Sequence, residues 1–561
     1  MAKRVRMSED DIFPDTVIKQ GTLKRALLID LGTSATCIAL SDFADSTSVK
    51  FNFLTPKEKA ENAAVNDQNC PAIASSKFEK NDGQFLPDLL KNYRYSGEGP
   101  TPYGYRVVSS LKRGLEASAR TLAPGTSWER DGVLDVAAFV IMLLDHAVVK
   151  DLRPILELIH PPSIIYASVP NSFPPAAVRI FQAGIAAAVT AAFKLDKVPE
   201  VVVVPEGVAV AYRAESLLRE QAPAPPQGSD DVVLLVVDAG AGTTDASIVR
   251  VADNGDRGKR VTVEGSAGLP VGGLDIDILL WVATGKKEDR ESQTPDRLRF
   301  ARETKEKAWD NRSAQIKQRM DNANIEEALT IQLSAIDRGV DRFLALTVDG
   351  LLSNLPSFPQ VTHYIISGRA SQFKGFEDLV TEHELLKNKP RRIEAMGDKR
   401  KQLVIEGLAS YARQQLGTSR IQNVRSSFEI YLSRGNIEDP IVPINTNLGE
   451  GYSAIAWTEK RLDVAEWPYL DLRLRLIKKT SIDKLENLDC FQPVALRPWC
   501  DFLLLRARRT VGENRYLLEF DHFGLAVALN HNANESPGEM IVNDFRNHPV
   551  HELSEREIAT L

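Results

Sequence analysis

The stretch VVDAGAGTTDASIVRV, residues 236–251, decides how this chain is interpreted. An apolar run leads into Asp238, two glycines follow one residue apart at Gly240 and Gly242, and a pair of threonines precedes Asp245. No lysine follows the glycines, which excludes a P-loop. A dinucleotide-binding loop needs a third glycine and a helix, whereas the residues here alternate between apolar and polar as in a strand. The stretch therefore predicts a strand, a tight Gly-Thr turn and a second strand, with an acid on each side of the turn.

A second segment, RALLIDLGTSATCIALSD at 25–42, has the same design. An apolar strand ends at Asp30, and Gly32, Thr33 and Ser34 form the turn before the next strand. Glycine lets backbone N–H groups approach phosphate oxygens, hydroxyls add donors, and a carboxylate at a strand end can hold the waters of Mg²⁺. One such turn alone could be an ordinary hairpin. Two matched turns, about two hundred residues apart, predict an internal duplication that binds phosphate between its halves.

Composition narrows the class of protein. A chain of 561 residues is too long for one core, so two or more domains are expected. The net charge of -7 argues against nucleic acid as the main partner. Four scattered cysteines form no C-x-x-C pair, which is typical of reduced thiols and predicts a cytoplasmic protein. The N-terminal residues do not form a signal peptide pattern, and the apolar stretches are too short to span a bilayer, so no membrane partner is expected.

Further motifs follow in a fixed order along the chain. They are CPAIASSKF (70–78), VVSSLKRGLE (107–116), SIIYASVPNSFPPAAVRIFQAGIAAA (163–188), VVPEGVAVAYRAE (203–215), GLPVGGLDIDILL (268–280), RFARETKEKAWD (299–310) and HYIISGRASQFKGFEDLV (363–380). With the two hairpins, this order resembles the actin, sugar kinase and heat-shock ATPase superfamily, and within it the DnaK-type heat shock protein 70 family. The resemblance implies an α/β fold: an actin-like two-lobed ATPase domain built on a duplicated ribonuclease H-like fold, with ATP or ADP and Mg²⁺ as cofactors.

The resemblance also assigns roles to residues. Asp30 and Asp238 would hold Mg²⁺ from opposite sides of a cleft, through water. Lys112 would contact the γ-phosphate, while Asp238, with Asp245, would orient or activate the attacking water. The other residues implied to bind the nucleotide are Gly32, Thr33, Ser34, Gly240, Gly242, Thr243, Thr244, Gly272, Gly273, Glu303, Lys307, Ser367, Gly368 and Arg369. Each acid or lysine also has a plainer explanation: Asp245 as a turn cap, and Lys112 as one charge on a solvated helix.

The connecting motif departs from the family pattern. The family has a catalytic glutamate immediately before a proline, whereas this chain has Pro205-Glu206. Alignment on Tyr212 puts Val204 at the position of that glutamate. Two outcomes are open: Glu206 compensates as a catalytic residue, or hydrolysis is slow.

The adenosine motif departs as well. The family opens it with two glycines and a serine, and this chain has Ser367-Gly368-Arg369. The planar guanidinium of Arg369 either stacks on adenine or obstructs the pocket. Glu303 and Lys307 are candidates for ribose or base contacts, with an i,i+4 ion pair on an exposed helix as the alternative.

The domain organisation follows from these patterns. We predict a flexible N-terminal tail over 1–25 and the nucleotide-binding domain over 26–416, with peripheral subdomains at 51–132 and 276–342. After 417 the sequence changes to short alternating segments separated by turns, which predicts an antiparallel β domain over 417–535. It weakly resembles the chaperones' substrate-binding β-sandwich. The last segment, 536–561, is predicted to be a tail too short for a full helical lid.

The leading functional expectation is a chaperone-like ATPase whose nucleotide state controls binding of a peptide or partner protein by the β domain. Its implied partners are a peptide or protein client and a cochaperone or nucleotide-exchange partner. The alternative is a nucleotide-gated, actin-like scaffold or filament protein with little turnover. A small-molecule kinase shares the fold, but the sequence shows no sugar-binding signature and a kinase leaves the β domain unexplained.

Overall fold

The computed structural model describes part of the chain. The described segments are 3–5, 25–32, 35–42, 50–53, 73–74, 76–80, 93–95, 105–109, 111–115, 127–146, 164–173, 175–193, 195, 198–221, 231–253, 259–277, 333–356, 360–373, 375–394, 402–415, 420–426, 428–434, 437–447, 453–459, 469–475, 478, 501–508, 514–520, 527–531 and 541–542.

Within these segments the chain is a mixed α/β structure with several sheets and helices, and its described strands form no barrel. The strands are β1 Lys3–Val5, β2 Arg25–Asp30, β3 Ala35–Asp42, β4 Lys50–Phe53, β5 Ile73–Ala74, β6 Ser76–Lys80, β7 Tyr93–Tyr95, β8 Tyr105–Ser109, β9 Ile164–Val169, β10 Glu200–Pro205, β11 Val232–Ala239, β12 Thr244–Asp253, β13 Lys259–Leu269, β14 His363–Ser367, β15 Arg391–Arg392, β16 Arg420–Val424, β17 Glu429–Arg434, β18 Ile437–Val442, β19 Ser453–Glu459, β20 Tyr469–Arg475, β21 Asp501–Arg508, β22 Asn514–Phe520, β23 Val527–His531 and β24 Ile541–Val542. The α-helices are α1 Ser127–His146, α2 Pro175–Phe193, α3 Glu206–Gln221, α4 Leu333–Leu352, α5 Phe376–Glu382 and α6 Leu403–Gln415.

Two of the sheets have the same strand order. One runs β4-β3-β2-β9-β10 and the other β13-β12-β11-β14-β15. In each, three strands form an antiparallel meander, a fourth lies parallel to the first of them, and a fifth lies parallel to the fourth. The two hairpins that the sequence pairs by motif therefore occupy the same place in two sheets of the same topology.

Strand β11 shows why its sequence is apolar without interruption. The side chains of Leu234 and Val236 join one hydrophobic core, and those of Val233, Leu235 and Val237 join another. Successive side chains of a strand point to opposite faces, so a sheet with a core on both faces needs apolar residues at every position. The first of these cores also contains the central strands of the other sheet, and it therefore joins the two repeats.

Helices α3 and α6 pack between the two repeats. Helix α3 contacts β9 and β10 of the first sheet and β11 and β12 of the second, while α6 contacts α3 and strands β2, β3 and β9. The two helix backbones come so close that a Cβ on Gly407 would lie 1.9 Å from the carbonyl oxygen of Ala209. An ion pair between Arg213 and Glu406, 2.6 Å from Nε to Oε2, closes the same contact. Glycine at 407 is thus required by packing.

The C-terminal strands pair antiparallel, as the alternating sequence predicts. A five-stranded sheet has the order β18-β17-β20-β21-β24, and a four-stranded sheet has the order β1-β19-β22-β23. Within the predicted flexible tail over 1–25, Lys3–Val5 form strand β1, which pairs with β19. Strand β24 likewise lies beyond the predicted limit at 535 and pairs with β21.

Strand β16 lies beyond the predicted end of the nucleotide-binding domain at 416. It runs parallel to β13 and forms the last strand of the second repeat's sheet.

In the predicted subdomain 51–132, strands β7, β6 and β8 form a three-stranded sheet. Most of the predicted subdomain 276–342 lies outside the described residues. None of the described helices has the length and apolar character needed to cross a bilayer.

Candidate functional site

Two buried aspartates lie at equivalent positions of the two repeats. Asp30 ends β2 and Asp238 lies at the end of β11. Each is opposite a serine of the adjacent parallel strand, Ser168 for Asp30 and Ser367 for Asp238. The Ser168 hydroxyl donates to Asp30 Oδ1 at 2.8 Å, and the Ser367 hydroxyl donates to Asp238 Oδ1 at 2.7 Å. The duplication therefore extends to the hydrogen bond that holds each acid.

Lys112 is a buried lysine with a buried acid as its partner. It lies in the helical segment 111–115, is 4% exposed, and its ammonium forms an ion pair with Glu206. The Nζ atom also lies 5.9 Å from the centre of the Phe173 ring. A buried lysine held in this way is not a charge on a solvated helix, so that explanation of Lys112 is wrong.

Glu206 is the first residue of α3, directly after β10. An acid in the first turn interacts favourably with the partial positive charge of the helix N-terminus. Val204, which the alignment puts at the family's glutamate, is a fully buried apolar residue of β10. Glu206 is therefore the acidic side chain that this part of the chain brings to Lys112.

The environment of Glu206 disfavours its charge. Its pKa is raised to about 7: burial raises it most, the ammonium of Lys112 lowers it, and the nearby carboxylates of Asp238 and Asp30 raise it. Four carboxylates, those of Asp30, Glu206, Asp238 and Asp245, thus interact around one lysine, and all are buried.

Asp245 receives a hydrogen bond from the first repeat. Its Oδ1 accepts the backbone N–H of Asn171 at 2.8 Å, and its Oδ2 has no hydrogen-bond partner among the described residues. Burial raises the pKa of Asp245, and the charges of Glu206 and Asp238 raise it further. Asp245 therefore belongs to the cluster of buried acids, and a role as a turn cap would not describe it fully.

The Asn171 side chain crosses from the turn after β9 into the second repeat. Its Nδ2 donates toward the carbonyl oxygens of Ala246 and Ala267, both at 3.1 Å, and the hydroxyl of Ser247 at 3.2 Å. Gly268 makes room for this turn, because a Cβ there would lie 2.5 Å from the backbone nitrogen of Ser172. Asn171 thus ties the two repeats together beside Asp245.

The glycine turn of the second hairpin packs on a second glycine turn. The N–H of Gly273 donates to Gly240 O at 3.0 Å, and that of Leu274 donates to Ala241 O at 2.7 Å. Gly272 must be glycine, because a Cβ would lie 2.6 Å from Gly240 O. Gly240 is partly exposed, and Gly242, Thr243 and Gly273 are buried in the same turns.

One threonine of this turn is used internally. The Thr244 hydroxyl donates to Val271 O at 2.8 Å. Arg113 fixes the glycine turn from the first repeat through Asp275, 2.7 Å from Nη2 to Oδ1. Asp275 in turn accepts the N–H of Gly272 at 2.7 Å.

The predicted adenosine segment begins at Ser367, which lies opposite Asp238 on the adjacent parallel strand. Ser367 bonds the Asp238 carboxylate, as described above, so its hydroxyl is directed at the acid. Gly368 has a φ of 79°, and a Cβ there would lie 2.2 Å from Ala239 O. Arg369 is partly exposed at the start of a short 3-10 turn. Gly32 is buried after β2, whereas the predicted residues Thr33, Ser34, Glu303 and Lys307 lie outside the described residues.

The charges of the cluster fit a bound cation. With every acid ionised, four buried carboxylates face one ammonium, and an uncompensated buried charge is costly. A hydrated Mg²⁺, which keeps several waters and takes one or two carboxylates, suits oxygen ligands of this kind. Among the described residues, no three His, Cys, Asp or Glu side chains are grouped closely enough to hold a metal ion by themselves.

Sequence reasoning missed two residues of this site. Asn171 gave no signal, because an asparagine after a Val-Pro turn looks like any turn residue. Ser168 was missed because its contact with Asp30 depends on which residues of two parallel strands lie opposite each other.

Comparison with known proteins assigns the chain to no family. No protein-family model matches the chain, and no curated protein matches it.

The raised pKa of Glu206 predicts a pH-dependent effect of Glu206→Gln. Since the folded pKa is above the ordinary value, the contribution of this group to stability is full below about 4.5 and is lost as the pH rises through about 7. Glutamine does not titrate, so the variant is expected to melt a few degrees above the wild type at pH 8 and within about one degree of it at pH 5. Thermal unfolding at both pH values, without divalent cations, measures this.

Glu406→Gln is the matched control. Glu406 of α6 forms an ion pair with Arg213 of α3, the helix that also carries Glu206, and it is not part of the acid cluster. The variant is expected to lower the melting temperature at both pH values. A Glu206→Gln variant that is less stable than the wild type at pH 8 would show that the ion pair with Lys112 outweighs the surrounding negative charge.

Proposed function

We propose that this chain is an ATP-binding protein with an actin-like, two-lobed nucleotide-binding unit, and that it hydrolyses ATP slowly. The observation that carries the proposal is the repeated strand order, with one serine-held aspartate at the same place in each repeat. Lys112 forms an ion pair with Glu206, whose pKa is affected by the charges of both acids. Buried acids, one buried lysine and glycine turns are the groups that a magnesium–nucleotide site requires.

In this proposal Asp30 and Asp238 hold the waters of Mg²⁺, which when bound neutralises phosphate charge. Lys112 directs its ammonium to the γ-phosphate, where negative charge develops during transfer to water. Glu206, with a pKa raised to about 7, is suited to exchange a proton with that water near neutral pH. Asp245 positions the water from the second repeat.

We further propose a chaperone-like role, in which nucleotide state controls how the C-terminal β strands bind a peptide or partner protein. Its support is a set of contacts between the second repeat and the C-terminal segments. Asn354, after α4, accepts the side-chain N–H of Asn445 on its carbonyl at 2.9 Å and the backbone N–H of Lys478 on its Oδ1 at 2.7 Å. Arg425 interacts with Glu264 of β13 and donates to Asn445 O at 3.1 Å. A change in the second repeat thus has a direct route to the β strands.

The scaffold or filament function remains the second candidate, because one observation favours it. Ser367 is hydrogen-bonded to Asp238, and the predicted adenosine motif therefore differs in use as well as in sequence. A weakened nucleoside site suits a switch more than an efficient ATPase.

Magnesium-ATP binding and turnover test the proposal. Wild-type protein is expected to bind Mg²⁺-ATP and to release phosphate slowly, with faster release in the presence of an unfolded protein. Asp238→Ala is expected to abolish turnover, and Asp378→Ala, which removes an exposed acid of α5, is expected to leave it unchanged. Pelleting with ATP but not without it would favour the filament, and no nucleotide binding at all would refute both functions.

A further inference from the structure

The two serine–aspartate pairs are the most closely matched polar contacts in the repeats. Ser168 is the second-last residue of β9 and Ser367 is the last residue of β14. Each of these strands is parallel to the strand bearing the acid, and each hydroxyl donates to Oδ1 of the acid opposite. Both hydroxyl groups belong to serines with no exposed surface. The distances, 2.8 and 2.7 Å, are those of a hydroxyl bonded to a carboxylate.

A hydrogen bond of this kind restricts the acid. A carboxylate is free to rotate about χ2, which changes the direction of its second oxygen. When Oδ1 is held by a hydroxyl, the direction of Oδ2 is fixed as well. Loss of a group that holds a metal ligand in this way typically lowers metal affinity or activity by about 10- to 100-fold.

We propose that Ser168 and Ser367 are paired positioning residues that orient Asp30 and Asp238 toward one hydrated Mg²⁺. The inference rests on the proposed nucleotide-binding function. It assigns Ser367 to the metal side of the site, whereas the sequence motif assigns it to the nucleoside. Removal of the hydroxyl is expected to lower metal affinity under the first assignment and nucleotide affinity under the second, so the two assignments can be separated.

The test uses full-length Ser168→Ala and Ser367→Ala, with Mn²⁺ as the probe and ADP as the nucleotide. Electron paramagnetic resonance of free Mn²⁺ gives the metal affinity in the presence of ADP, and calorimetry with a chelator gives the affinity for metal-free ADP. Each variant is expected to raise the Mn²⁺ dissociation constant about tenfold and to leave the metal-free ADP affinity within about twofold of the wild type. Similar losses in the two variants are expected, because the two contacts are equivalent.

Two buried serines of the same loops are the controls. Ser172 follows β9, and its hydroxyl has no hydrogen-bond partner among the described residues. Ser371 follows β14, and its hydroxyl donates to Gly368 O at 2.7 Å. Ser172→Ala and Ser371→Ala are expected to leave Mn²⁺ affinity unchanged. If an alanine variant does not fold, Ser→Cys at the same position keeps the volume and replaces the hydroxyl with a weak donor, and the same loss is expected.

The outcomes separate the two proposals. Wild-type protein that binds no Mn²⁺-ADP overturns the proposed function and this inference with it. Wild-type binding with unchanged Mn²⁺ affinity in both variants overturns the inference alone. A Ser367→Ala variant that loses metal-free ADP affinity assigns Ser367 to the nucleoside and likewise overturns the inference.

Discussion

Lys112→Met is expected to abolish ATP turnover and to lower the free energy of unfolding by about 3–5 kcal/mol, the range found when one partner of a buried ion pair is removed. Lys112 is the cation paired with Glu206, and the carboxylates of Asp30, Asp238 and Asp245 lie in the same buried cluster. Without its ammonium these acids must take up protons or lose their packing. Denaturant unfolding at pH 7.5 and phosphate release in single turnovers measure the two effects.

A double variant separates stability from catalysis. Lys112→Met with Glu206→Gln removes one acid together with the cation, so most of the lost stability is expected to return. Turnover is not expected to return, since no ammonium is present to contact the phosphate. A double variant no more stable than Lys112→Met would contradict the charge argument, and a Lys112→Met variant with wild-type turnover would contradict the catalytic one.

Asn171→Ala is expected to loosen the contact between the two repeats. Its side chain is 4% exposed and is directed at three oxygens of β12 and β13. Buried acceptors left without a donor cost about 1–3 kcal/mol. Amide hydrogen exchange in 244–253 and 259–269 is therefore expected to rise on the order of tenfold or more. Turnover is expected to fall, because the side-chain bonds no longer hold the turn whose backbone N–H bonds Asp245.

Ser172→Ala is the control for this variant. It lies next to Asn171 in the same turn and has a buried hydroxyl without a hydrogen-bond partner among the described residues. Exchange is expected to stay at the wild-type rate in both strands. If Asn171→Ala also left the exchange of β12 and β13 unchanged, the side chain would not be holding the repeats together.

The sequence predicts much of what surrounds the site because the signals are local. A run of apolar residues, an aspartate and a glycine turn specify a buried strand and hairpin within about sixteen residues, and the same pattern at 25–42 predicts the repeat. The pairing of parallel strands is not local. Ser168 and Asp30 are 138 residues apart, so their contact depends on strand register, which one sequence does not display.

The interpretation of Glu206 shows a different limit. Alignment by motif puts Val204 in place of the acid and leaves open whether Glu206 compensates, and helix α3, which begins directly after β10, brings Glu206 to Lys112. A side chain can serve a site from a shifted position when a helix start supplies it. Motif order drew attention to this region, and the structure shows that Glu206 is the acid paired with Lys112.

Strand β16 has a consequence for how the chain can be divided. It hydrogen-bonds to the edge of β13, and the next residues continue the contact: Arg425 N–H donates to Val263 O at 3.0 Å, and Ser426 N–H donates to Thr446 O at 2.8 Å. A polypeptide cut at 416 would leave β13 with an open edge, which favours aggregation. The segment at the predicted boundary is therefore not a passive linker, because residues 420–425 pair with β13 and Ser426 donates to Thr446 O.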